Sequence, residues 1–173
     1  MALLEWHSES TAPTWLALLD QAPESIGIDL PAVRTYRLQR VRQEMQRHNV
    51  QALILSDPVN IRYATGARNM QVFSARNAPS RYLVLTATHS ILYEFTGCLH
   101  LGRGFETIDE VRPSSTASFV AAGPAIADKE RAWAQDILAT LRELLGGEPE
   151  TLGLERMNAG VALEIARQGA SVS

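Results

Sequence analysis

The sequence predicts an α/β domain in which a mixed β-sheet carries helices on its faces, and three observations lead to it. Short apolar runs of strand length, such as Gln51–Ser56 (QALILS), recur along the chain. Longer stretches place apolar residues at helical spacing, most clearly over 31–49 and 125–145. The two kinds of segment follow one another, after an opening helix, in the order β-α-β-β-β-β-α-β-α. Hydrophobic residues make up 46% and charged residues 20% of the 173 residues, the balance of a chain that buries a core without disulfides.

Residues 1–30 read as an amino-terminal extension with one short helix, Pro13 in its first turn and Trp15, Leu16, Leu18 and Leu19 on its apolar side. Pro31 then opens a helix, where its missing N–H costs nothing, and Leu38, Val41 and Met45 form the inward stripe with Val33 behind them. Arg34, Arg37, Arg40, Arg42 and Arg47 crowd this helix. Because they are spread around it, they read as a solvated face with ion pairs rather than as a phosphate or acidic-partner site.

The strand Gln51–Ser56 stops at Asp57-Pro58, where Asp57 suits an N-cap and Pro58 the first helical position. That helix runs through Thr65 to Gly66, a left-handed C-terminal cap. Strands are expected at Met70–Ser74, Arg81–Ala87 and Ser90–Thr96, the last two joined as a hairpin through Thr86-Ala87-Thr88-His89, with alternation in Ile91, Tyr93 and Phe95. Gly97, Gly102 and Gly104 mark a loop before a strand around Thr107–Arg112, which Pro113 closes. The helix Ala125–Leu145 buries Trp133, Ile137, Leu141 and Leu144/Leu145 and ends at Gly146-Gly147. Leu152–Glu155 is a short strand, and Asn158 caps a last helix through Gln168, with Gly169 as its stop. The chain ends at Ala170-Ser171-Val172-Ser173, on the approach to another strand, which reads as a chain cut before its next domain.

Composition and charge exclude several classes. The net charge of −3 offers no footprint for nucleic acid or anionic lipid. No apolar run approaches the ~20 residues that cross a bilayer, and the start lacks the basic-then-apolar order of a secretory signal. Cys98 is the single cysteine, so no intramolecular disulfide forms and a reducing cytoplasm is the expected compartment.

No phosphate loop, dinucleotide fingerprint, His-Glu-x-x-His pair or nucleophile elbow is present. His7, His48, His89 and His100 lie in different elements. Cys98 and His100 would share one face of a strand, but no second pair accompanies them, and a buried thiol is the preferred reading of Cys98. Glu106, Asp109 and Glu110 read as hydrated acids. The residues alone describe an α/β domain without an internal active site.

The stretch Asp57-Pro58-Val59-Asn60-Ile61-Arg62-Tyr63-Ala64-Thr65-Gly66 resembles the segment D-P-x-N-I-x-Y-x-[ST]-G of amino-terminal domains in the creatinase, prolidase and aminopeptidase P family. The arginine-rich helix and strand before it, and the hairpin, long helix and Gly153-Leu154-Glu155 after it, follow the same order over about residues 31–170. The resemblance implies that Asp57, Pro58, Asn60, Ile61, Tyr63 and Gly66 are structural motif residues and that 31–173 is a creatinase/prolidase-type amino-terminal domain with a ribonuclease H-like motif. Residues 69–77 (NMQVFSARN) look most like the branch containing dimethylsulfoniopropionate lyases.

It further implies a parent protein whose pita-bread catalytic domain, absent from this chain, binds two divalent metal ions. None of those metal ligands matches a residue here, so neither catalytic activity nor a cofactor is expected of this segment. The parent is expected to be a homodimeric hydrolase of small peptides or amides, an Xaa-Pro peptidase or a creatinase-like enzyme, with sulfonium lyase activity as the alternative. In that setting the domain would aid dimerisation and shape the active-site entrance, with Phe73 and Arg76 corresponding to an aromatic residue and an arginine near creatinase's substrate. A stand-alone dimerisation or binding module of the same fold is the reading from a different class.

Overall fold

The structure, a computed structural model, describes residues 27–69 and 79–170, in two units, Met1–Val33 and Arg34–Ser173. Of the first unit, Gly27–Val33 is described. There the Asp29 carboxylate accepts the Ala32 N–H at 2.9 Å, capping helix α1 (Leu30–Arg47) beside Pro31. The expected extension helix and the strand Met70–Ser74 fall outside the described residues.

In the second unit a five-stranded sheet forms from β1 (Ala52–Leu55), β2 (Tyr82–Thr86), β3 (Ser90–Glu94), β4 (Glu110–Pro113) and β5 (Leu152–Leu154), in the order β4-β3-β2-β1-β5. The β1–β2 and β2–β3 pairs are antiparallel, and β5 and β4 join β1 and β3 in parallel, so the sheet is mixed as the element order implied. The hairpin closes at Thr86–His89, where the Thr86 N–H donates to the His89 carbonyl at 2.9 Å.

Successive residues of a strand point to opposite faces, and here both faces are covered. Ile54, Tyr82, Val84, Ile91 and Tyr93 meet Trp133, Ile137 and Leu141 of α4 (Ile126–Leu145) and Val161 and Ile165 of α5 (Ala159–Arg167). Leu55, Leu83, Leu85 and Leu92 meet Leu38 and Met45 of α1 and Ile61 and Ala64 of α2 (Pro58–Thr65) on the other face. The alternation read into β3 is therefore not an inside–outside pattern. All of Ser90–Glu94 is buried, because β3 lies inside the sheet between two helical layers. Tyr82 stacks on Tyr93 at 4.6 Å between ring centroids and meets the edge of Trp133 at 5.2 Å, centring one core on aromatic packing.

Local differences from the sequence reading have physical causes. The strand expected at 107–112 begins at Glu110, because Ile108 donates back to the Phe105 carbonyl and Thr107 Oγ1 donates to the Thr65 carbonyl at 2.6 Å. Both bonds hold the chain in a turn. The glycine-marked loop contains a 3-10 helix, Thr96–Gly102, and a short helix α3 (Phe119–Ala122) precedes α4. Leu144 is partly buried and Leu145 is exposed, so the stripe of α4 ends one residue early. Asn158 holds the N-cap position of α5 without capping it; its amide instead donates to the Ala117 carbonyl and to Glu130. The charge readings change as well. Glu106 pairs with Arg34 at 2.6 Å, Asp109 accepts both the N–H and the hydroxyl of Ser90, and Glu110 pairs with Arg112 at 2.7 Å.

Two sites yield stability predictions. Gly66 has φ of 82°, and a Cβ there would lie 2.2 Å from Arg34 Cδ. Gly66→Ala should lower the unfolding free energy by about 1–2 kcal/mol from backbone strain, with Arg34 displaced, as read by urea denaturation. Trp133→Ala, which empties a fully buried site, should cost about 3–5 kcal/mol.

A pH effect comes from Arg34, whose hydrogen bond holds the Glu106 carboxyl below its ordinary value. The folded state therefore releases this proton more readily than the unfolded chain. The resulting stability is complete above pH about 4.3 and is lost as pH falls through the lower folded value. Both groups keep solvent contact, so the contribution is below about 1 kcal/mol. Glu106→Gln should flatten the acid limb of the stability curve by that amount, and an unchanged limb would contradict the assignment.

Candidate functional site

The motif Asp57–Gly66 lies where β1 and β5 end side by side. Asp57 Oδ1 accepts the Val59 N–H at 2.7 Å, and Pro58 occupies the first turn, so the start of α2 is capped from within its own sequence. Ile61 is fully buried, and Gly66 ends the helix in the left-handed conformation with its N–H on the Arg62 carbonyl at 2.8 Å. Asn60 and Tyr63 face outward.

Glu155, next to the end of β5, reaches across to this turn. Its Oε2 accepts the N–H groups of Ser56 at 2.7 Å and Asp57 at 2.5 Å, while Oε1 accepts the Asn60 side-chain amide. The Ser56 hydroxyl donates to the Arg156 carbonyl at 3.3 Å. Three donors engage one carboxylate, which suits a clamp between strand ends and leaves it poorly placed to take a proton from a substrate. The motif residues thus hold one another. The sequence reading found Asp57 and Asn60 but did not single out Glu155 as their partner, because the pairing spans 95 to 99 residues.

A second cluster was missed altogether. Arg81 Nε lies 2.6 Å from Glu94 Oε2, and the two side chains are 1% and 0% exposed. Glu94 Oε1 also accepts the Asn69 amide at 2.7 Å and the Phe95 N–H at 3.0 Å. The signal lay in the hairpin register. Tyr82 pairs with Tyr93, so the next pair outward is Arg81 with Glu94, opposite charges across two strands that are buried on both faces. Asn69 and Pro79 flank residues 70–78. Asn69 joins the Glu94 cluster, and Pro79 accepts the Ala117 N–H at 3.3 Å. Phe73 and Arg76 fall between them, outside the described residues.

The remaining candidates stay apart. Cys98 and His100 lie on the 3-10 helix rather than on a strand, so a spacing of two does not put them on one face; Cys98 is half-buried and His100 exposed. His48 lies 3.7 Å from Glu44, and His89 bonds Thr88 at 2.9 Å. Among the described residues no three His, Cys, Asp or Glu side chains gather where a metal ion could be held, and no helix is long and apolar enough to cross a membrane.

The buried pair supports a direct test. Glu94→Gln leaves the Arg81 charge buried and unbalanced, and should destabilise the domain by about 3–5 kcal/mol in chemical denaturation. The double variant Arg81→Met with Glu94→Leu should recover most of that loss, which separates charge desolvation from packing.

With this geometry in place, the chain can be set beside known proteins. The family described as Creatinase/Prolidase N-terminal domain matches residues 37–170. A dimethylsulfoniopropionate lyase from Roseovarius nubinhibens is 25% identical over 136 residues, which is 78% of this chain and 30% of the lyase. The chain therefore spans about 30% of the length of that relative. An Xaa-Pro aminopeptidase structure from Streptococcus pyogenes superposes with a TM-score of 0.54 at 15% identity, covering 83% of this chain and 92% of that one. An Xaa-Pro dipeptidase from Bacillus anthracis superposes with a TM-score of 0.51 at 10% identity, covering 80% of this chain and 32% of that one. The structural likenesses show a shared fold, with a mixed five-stranded sheet and flanking helices. The match over residues 37–170, which include the clamped motif and both helical layers, places the chain in the Creatinase/Prolidase N-terminal domain family.

Proposed function

We propose that this chain is the non-catalytic amino-terminal domain, residues 31–173, of a two-domain enzyme, and that it aids homodimer formation and shapes the entrance of an active site carried by the other domain. The observation that supports this most is one of proportion. The match takes in most of this chain but 30% of the lyase and 32% of the longer dipeptidase. The acids of the domain fit the same view, since Glu94, Glu106, Glu110 and Glu155 each hold structural partners. The parent's reaction is cleavage of an Xaa-Pro peptide or a related small amide, in the cytoplasm. On the family resemblance, its two divalent metals are assigned to the other domain.

A second reading of the parent has its own support. Both curated relatives, 25% and 24% identical to this chain, are named dimethylsulfoniopropionate lyases, so elimination from a small sulfonium carboxylate is the alternative chemistry.

The gene product that contains this chain should be assayed on an Xaa-Pro dipeptide and on dimethylsulfoniopropionate in parallel. Turnover of the dipeptide supports the first chemistry, and release of dimethyl sulfide alone replaces it with the second. The 173-residue chain should turn over neither, and activity from it would overturn the non-catalytic assignment. In the active protein, Arg76→Ala should raise KM on the order of tenfold, as expected for loss of a carboxylate clamp, and Phe73→Ala should act in the same direction. Unchanged kinetics would remove both residues from the entrance.

A further inference from the structure

We draw no further inference here: the strongest candidate, the buried Arg81–Glu94 cluster at the open end of the β2–β3 hairpin, where Arg81 Nη1 and Nη2 have no hydrogen-bond partner among the described residues, rests on its junction with residues 70–78, which lie outside the described residues.

Discussion

The parallel pairing of β1 with β5 sets Ala52 against Leu152 and Ile54 against Leu154, and the Glu155 carboxylate, 98 residues from Asp57, bonds across its end. A parallel pair cannot be made by a tight turn, so everything between the two strands has to be threaded before they meet. The intervening chain supplies β2, β3, β4 and the long helix α4. When β5 arrives, Glu155 collects the N–H groups of Ser56 and Asp57 and the Asn60 amide. These donors belong to the turn that starts α2, so one carboxylate sets both the strand register and the entry angle of the next helix.

The same economy is seen in the buried Arg81–Glu94 pair. Two charges at 1% and 0% exposure are tolerated because the hairpin register holds them 2.6 Å apart and Asn69 and Phe95 bond the remaining carboxylate oxygen. Such a pair adds little net stability but penalises any slip of β2 against β3, since a shift would leave each charge buried alone. Its position at the junction with residues 70–78 ties the flank of that segment to the middle of the sheet.

On α1 the charges behave differently. Arg34 clasps Glu106 and lies 5.2 Å over Phe105, connecting α1 to the turn before β4, while Arg37 and Arg40 rest on exposed tyrosines. A helix with both kinds of arginine has an architectural side and an outward side.

The sequence by itself determined the order of the described elements apart from the short helices, the capped turn at Asp57 and Gly66, the hairpin at Thr86–His89 and the family. Each depends on neighbours within a few residues, or on a short motif whose residue types carry their own backbone preferences. Only the tertiary structure decided that Ser90–Glu94 is buried on both faces, that Glu155 serves the Asp57 turn, that Asn158 bonds Ala117 and Glu130, and that the α1 arginines divide into two groups. Those outcomes depend on partners tens of residues away, and local periodicity is silent about which distant side chain arrives. Phe73 and Arg76 remain as the sequence reading left them, assigned by resemblance alone.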